Sequence, residues 1–155
     1  MTNSSEIVDD SADYWRRDER TIKLHGPEGF AGMRKAGRLT AETLDFITPY
    51  VQPGVTTDEL DRLCHEFILD HQAIPAPLNY RGFPKSICTS INHVVCHGIP
   101  SDKRLKNGDI VNIDVTVILD GWYGDTSRMY YAGDVGVKAK RLCDVTYEAM
   151  MRGIA

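Results

Sequence analysis

The chain has 155 residues, of which 42% are hydrophobic and 26% are charged, and its formal net charge at pH 7 is −4. These values are ordinary for a soluble globular domain, or for one lobe of a larger one. The negative charge and the lack of a basic run argue against nucleic-acid recognition. No apolar stretch approaches the length of a membrane span and the N-terminus lacks the apolar core of a signal peptide, so we expect a cytoplasmic protein that does not bind membranes.

Residues 1–26 are predicted to form a polar leader. The first twenty residues hold six acidic side chains and few large apolar ones. Such a segment cannot bury enough apolar surface to order itself, so we expect a mobile arm or one that lies on another surface, with Tyr14-Trp15 as its anchor. The rest of the chain, residues 27–155, is expected to form a single lobe.

Two amphipathic helices are predicted after the leader. The first begins at Pro27 and runs to about Tyr50, and the second begins at Thr56, with Glu59 placed for a capping box, and ends near Pro75. The predicted core-facing stripe of the first helix is Phe30, Met33, Gly37, Thr40, Leu44, Ile47 and Val51. The predicted stripe of the second helix is Leu60, Leu63, Cys64, Phe67, Ile68 and His71.

A loop and two short strands are predicted next. The loop covers residues 76–84, and the strands are Ser86–Ile91 and Val94–Cys96, joined by a turn at Asn92-His93. A second turn at Asn107-Gly108 leads into the following element. The four cysteines have no metal-binding spacing, so reduced and mostly buried thiols are expected at Cys64, Cys88, Cys96 and Cys143.

A β-hairpin is predicted around Asp120-Gly121, the dipeptide typical of a type I′ turn. Ile110–Leu119 alternates at period two, with apolar residues on one face and polar groups at the centre of the other. If the return strand begins at Trp122, Asp114 and Asp125 become diagonal neighbours on one face. Two such carboxylates can converge on hard divalent cations; the alternative is that both are solvated residues of an exposed sheet face.

His97 is a candidate functional histidine. It follows a short apolar stretch and precedes Gly98-Ile99-Pro100, which fixes the exit path of the backbone. Beside a carboxylate pair it can donate a hydrogen bond to a reacting group; the alternative is a structural histidine at the end of a strand. A zinc site built from His93 and His97 is rejected, because the residues between them favour a strand and lack the glutamate of zinc-helix motifs.

The last predicted helix is Val137–Ala155. Its apolar residues recur at helical spacing, but the sequence offers no partner for them and no capping residue at the end of the helix. The chain is therefore expected to be cut short.

Four sequence blocks occur in order within residues 27–155. They are Tyr80-x-Gly82-Phe83-Pro84-Lys85-Ser86, Ser90-Ile91-Asn92-x-Val94-Val95-Cys96-His97-Gly98-Ile99-Pro100, Gly108-Asp109-Ile110-Val111-Asn112-Ile113-Asp114-Val115 and Gly124-Asp125-Thr126-Ser127. Together they resemble bacterial type I methionine aminopeptidase. A chance match to all four blocks in order is implausible.

The resemblance implies an α/β (α+β) fold that is the first half of the pita-bread fold of creatinases and aminopeptidases. That half has an antiparallel sheet with two N-terminal helices packed on one face. The family's remaining metal ligands, one histidine and two glutamates, lie in a second half that has no counterpart in this sequence.

The resemblance also implies the roles of individual residues. Asp114 and Asp125 would be ligands of two divalent metal ions (Co, Mn, Fe or Zn), and His97 would be the catalytic histidine that contacts the substrate near the scissile bond. The pocket for the N-terminal methionine side chain would be lined by Tyr80, Phe83 and Cys88. For these pocket residues the alternative is plain core packing.

The implied activity is metal-dependent removal of the initiator methionine from nascent polypeptides. The partners would be polypeptide N-termini, met at the ribosome, and the complete enzyme would be a monomer. Because three of the five ligands that the resemblance implies have no counterpart in this sequence, we expect weak or absent metal binding and little turnover from this chain alone. Two alternatives stay open: an inactive remnant or binding module of the same fold, and a hydrolase related to aminopeptidase P or creatinase.

Overall fold

The computed structural model describes residues 24–155, so all but the last three residues of the predicted leader lie outside the described residues. The elements in chain order are α1 (Pro27–Ile47), α2 (Thr57–Asp70), β1 (Ile74–Pro75), β2 (Cys88–Ile91), β3 (Asp109–Leu119), β4 (Trp122–Ala132) and α3 (Val137–Ile154). Short 3-10 turns at Thr48–Tyr50 and Tyr80–Gly82 interrupt the connections.

Strand β3 is the centre of a four-stranded antiparallel sheet. β4 pairs with its whole length on one edge, and β1 and β2 share the other edge. The β3–β4 register is continuous and pairs Leu119 with Trp122, as predicted for a two-residue turn. Asp120 and Gly121 have φ angles of 52° and 81°, which a type I′ turn requires.

The two faces of the sheet have different roles. On β3, Val111, Ile113, Val115 and Val117 are fully buried and pack with residues of α1 and α2 in one hydrophobic core. The intervening residues of β3 are only partly buried and point to the opposite face. The sequence prediction of an antiparallel sheet with both N-terminal helices on one face is confirmed.

Helix α1 packs on the sheet through small residues, and its predicted stripe is wrong in the first half. Phe30 and Met33 are 55% and 47% exposed. The buried positions are Gly29, Ala36, Leu39, Thr40, Thr43, Leu44 and Ile47. The helix backbone approaches β4 so closely that a Cβ atom added to Gly124 would lie 2.3 Å from the carbonyl oxygen of Ala36. Small side chains therefore face β4 where the helix approaches it most closely, and Leu39, Leu44 and Ile47 enter the core farther along the helix.

Helix α2 begins as predicted but ends earlier. The Thr56 hydroxyl accepts a 3.1 Å hydrogen bond from the amide of Glu59, and the helix ends at Asp70 rather than near Pro75. The reason is that Gln72 adopts a left-handed φ of 59° and the following residues pair with β3 as β1. His71, predicted as the end of the core stripe, is exposed and donates from Nδ1 to the carbonyl of Phe67 at 2.8 Å.

The two short predicted strands need correction. β2 begins at Cys88 rather than Ser86, because the amides of Ser86 and Ile87 bind a side chain of α2. Val94–Cys96 is irregular, and Val95 is 93% exposed. The predicted turns at residues 92–93 and 107–108 are present.

All four cysteines are free and three are buried, as expected; Cys96 is exposed.

Helix α3 packs little against the rest of the described chain. Cys143 is its one buried residue, while Leu142, Val145 and Met150 are exposed. Within residues 24–155, most of the apolar stripe of this helix is exposed. None of the helices in this range is both long enough and apolar enough to cross a membrane.

Candidate metal centre

A cavity of about 760 Å³ lies on the sheet face that the N-terminal helices leave uncovered. Its lining includes all six predicted site residues: Tyr80, Phe83, Cys88, His97, Asp114 and Asp125. Strands β3 and β4 form the floor, and the loop at residues 76–84 and the segment at residues 97–99 form the walls. Residues from four separate stretches of the sequence therefore meet in one place.

The two aspartates lie on the floor of the cavity. Asp114 pairs with Ser127, and Asp125 pairs with Thr116, which puts both carboxylates on the same face as diagonal neighbours. The shared face predicted from the hairpin is thus confirmed. Burial raises the pKa of Asp114, and the negative charge of Asp125 raises it further, whereas nearby His97 acts in the opposite direction.

The donor set of the floor fits part of a cation site. Carboxylate oxygens are the ligands that hard divalent cations prefer, and two like charges held together at a partly buried site favour a cation between them. Within residues 24–155, however, no group of three or more His, Cys, Asp or Glu side chains is arranged to hold a metal ion. Asp114 and Asp125 would thus supply two of the ligands, and the others would come from water or from outside the described residues.

His97 is fixed by its neighbours in an unusual backbone conformation. It has a left-handed φ of 52°. The next residue, Gly98, accepts from the amide of Thr89 at 2.8 Å and donates to the hydroxyl of Ser90 at 3.1 Å. A Cβ atom at Gly98 would lie 2.1 Å from the Thr89 carbonyl oxygen, so only glycine permits this approach. The imidazole is thereby held at the cavity wall beside the carboxylates.

Cys88 lines the cavity next to Asp114. It pairs directly with Asp114 across β2 and β3. Burial, followed by the negative charge of Asp114, raises the pKa of the Cys88 thiol to about 11. The thiol is therefore neutral at pH 7 and acts as a small apolar group. Cys88 is 8% exposed, and it is not part of the hydrophobic cluster between the sheet and the helices.

Tyr80 and Phe83 belong to a loop that is attached to the sheet at its start. The amide of Ala76 donates to the carbonyl of Thr116 at 2.9 Å, and the amide of Asn79 donates to the carbonyl of Phe83 at 2.8 Å. These bonds hold the loop beside the cavity, which both aromatic residues line.

Other lining residues were not predicted. Thr116 and Tyr123 share the face of the aspartates, so the hairpin register alone would have identified them. Arg81 also lines the cavity, with its guanidinium 5.4 Å from the centre of the Tyr80 ring. Its left-handed φ of 49° places it there, and no sequence pattern indicates that conformation.

Comparison with known proteins gives consistent matches. A sequence model described as metallopeptidase family M24 matches residues 31–155. The chain is 75% identical over 134 residues to a methionine aminopeptidase of Rickettsia prowazekii, covering 86% of this chain and 52% of that protein. It is 56% identical over 131 residues to the methionine aminopeptidase of Escherichia coli K12, covering 83% of this chain and 50% of that protein.

Solved structures agree with these matches. The crystal structure of the Rickettsia prowazekii methionine aminopeptidase is similar with a TM-score of 0.85 and 75% identity, covering 86% of this chain and 54% of that one. An Xaa-Pro dipeptidase from Bacillus anthracis is similar with a TM-score of 0.70 at 20% identity, covering 84% of this chain and 35% of that one, which indicates a shared fold alone. The chain spans about half the length of the curated relatives it matches.

Proposed function

Because the chain belongs to metallopeptidase family M24, we propose that it forms the part of a methionine aminopeptidase that carries two aspartate metal ligands and the methionine pocket. The activity is hydrolytic removal of the N-terminal methionine from polypeptides, with nascent chains in the cytoplasm as substrates. The high identity to relatives named methionine aminopeptidase supports this choice over an aminopeptidase P-like hydrolase, for which the likeness extends to the fold alone.

One observation carries the proposal: a paired carboxylate site and an apolar pocket wall share a single cavity. Divalent cations held by Asp114 and Asp125 would supply an activated water and polarise the scissile carbonyl. Among Co, Mn, Fe and Zn, the all-oxygen pair favours Mn²⁺. The two aspartates thus define where hydrolysis occurs.

The other residues would bind and orient the substrate. Phe83 and the neutral thiol of Cys88 offer a surface that suits an unbranched thioether side chain. His97, held next to β2 by the pairing of Gly98 with Thr89, would donate a hydrogen bond to the substrate next to the scissile bond. Orientation of this kind accelerates hydrolysis because the reacting groups lose less freedom at the transition state.

A titration with Mn²⁺ tests the aspartate pair. Isothermal titration of the 155-residue chain should show weak binding, and the Asp125→Asn variant should show none, because two carboxylates are too few for a tight site. An Asp70→Asn variant, which changes a carboxylate on α2, serves as the matched control. Equal binding by the wild-type chain and Asp125→Asn would refute the assignment, and no binding by the wild-type chain would favour a binding module.

A second titration tests the methionine pocket. In an isotope-labelled chain, methionine amide should shift the NMR signals of Phe83 and Cys88, and glycine amide, which lacks the side chain, should not. Equal shifts with both amides would contradict the pocket. A turnover assay tests the expectation that this chain has too few metal ligands. Incubation with Mn²⁺ and a Met-Gly peptide should give little hydrolysis. Hydrolysis as fast as that of a full-length relative would show that this expectation is wrong.

A further inference from the structure

Asp61 is a buried carboxylate of α2 to which the proposed mechanism assigns no task. It is 8% exposed, and its Oδ1 atom accepts hydrogen bonds from the amides of Ser86 at 2.8 Å and Ile87 at 3.1 Å. Burial raises the pKa of Asp61, and the two amide hydrogen bonds offset part of that effect. The two donors are the last residues before Cys88, which begins β2 and lines the cavity.

The same face of α2 also contacts residues 85–86, just before β2, at two other points. Asp58 forms an ion pair with Lys85 at 2.7 Å, and Nδ1 of His65 lies 2.8 Å from the hydroxyl of Ser86. Asp61 lies between Asp58 and His65 on successive turns of the helix. The ion pair is partly exposed and therefore weak, whereas the Asp61 bonds are buried and costly to lose.

Strand β2 needs such a constraint because it is short. It has four residues, and its pairing with β3 sets Cys88 opposite Asp114. A shift of one residue would turn Cys88 to the core face and bring a neighbouring side chain into the cavity. The far end of β2 is held by Asn92, whose side chain accepts from the amide of Ile110 at 3.1 Å. At the other end of β2, the hydrogen bonds from Ser86 and Ile87 to Asp61 fix the residues that lead into the strand.

We propose that Asp61 is a positioning residue that fixes the entry of β2 and thereby holds Cys88 in the cavity wall beside the aspartate pair. The importance of that wall for methionine rests on the proposed function. The position of Cys88 is independent of the proposed function. A test that measures the accessibility of the Cys88 thiol can therefore fail without bearing on the proposed function, and the proposed function can fail without bearing on this inference.

Alkylation of the cysteines provides that test. The folded chain is treated with iodoacetamide at one pH, and the modification of each cysteine is followed by mass spectrometry. Asp61→Ala should speed alkylation of Cys88 about tenfold, because loss of a buried acceptor shifts a local opening equilibrium by about one decade. Asp61→Asn keeps an acceptor oxygen and should restore the rate to within about twofold of wild type. Asp70→Ala, at the far end of α2, is the matched control and should change nothing.

The other cysteines distinguish positioning from general loosening. Cys64 is buried one turn from Asp61 on the same helix, and burial, followed by the Asp61 charge, raises its pKa. Loss of that charge should therefore speed its alkylation slightly and by the same factor in Asp61→Ala and Asp61→Asn, well below the rise at Cys88 in Asp61→Ala. Three results would each overturn the inference. The alkylation rate of Cys88 could be unchanged in Asp61→Ala, it could rise no more than that of Cys64, or it could rise in Asp61→Asn as much as in Asp61→Ala. If Asp61→Ala does not fold, amide exchange in the wild-type chain decides: slow exchange at Ser86 and Ile87 supports it, and exchange as fast as in an exposed loop overturns it.

Discussion

Replacing Gly124 with alanine should destabilise the fold strongly. The added Cβ would lie 2.3 Å from the carbonyl oxygen and 2.4 Å from the carbonyl carbon of Ala36, and 2.7 Å from the amide nitrogen of Gly37. All three atoms belong to the backbone of α1, so no side chain can rotate out of the way. The helix must move away from β4 and give up packing over its length. Overpacking of this kind costs about 3 kcal/mol, at the upper end of the usual range.

Urea unfolding followed by far-UV circular dichroism measures this loss as a fall in the free energy of unfolding. Gly37→Ala is the matched control, since it makes the same chemical change in α1, where nothing lies within 4 Å of the added atom. It should stabilise the chain by about 0.5–1 kcal/mol, because glycine costs more backbone entropy than alanine in a helix. A loss below about 0.5 kcal/mol for Gly124→Ala would refute the reasoning, since the close approach of α1 would then be easily relaxed.

Three further changes have expected outcomes. Thr56→Ala should lower the free energy of unfolding by about 1 kcal/mol through loss of the helix cap, and an unchanged urea midpoint would contradict this. Tyr130→Phe should cost about 1 kcal/mol at pH 7, because it removes a 2.6 Å hydrogen bond to the Leu44 carbonyl. Burial raises the pKa of Tyr130 above 10.0, so this residue's contribution is full below pH 10 and is lost as the pH rises through the raised pKa. The variant should accordingly lose less stability above pH 10 than the wild-type chain. Asp114→Asn should raise Tm by roughly 3 °C in EDTA, because it removes a partly buried charge beside Asp125, and a lower Tm would contradict that view.

The parts that the sequence predicted well depend on neighbouring residues. The Asp120-Gly121 turn and the period-two pattern of β3 are local features, and together they fix the register of the hairpin. The shared face of Asp114 and Asp125 follows from that register without knowledge of the remaining chain. The N-cap of α2 is local in the same sense: Thr56 accepts from the amide of Glu59 as predicted, although the Glu59 side chain bonds Arg62 and does not complete the capping box.

The parts that the sequence did not predict depend on distant contacts. The buried face of α1 contains Gly29 and Ala36 because β4 approaches there, and a hydrophobic pattern gives no weight to such small residues. Val94–Cys96 has strand propensity, but Gly98 pairs with Thr89 instead. The hydrogen bonds of Asp61 join residues that are 25 and 26 positions apart, which no local pattern indicates.

The left-handed backbone at His97 limits which substitutions can report on its imidazole. Alanine or a branched residue at a φ of 52° would add backbone strain to the loss of the ring, so any defect would have two causes. Asparagine and glycine tolerate this conformation. Comparison of His97→Asn with His97→Gly would therefore isolate the contribution of a polar side chain at constant backbone geometry.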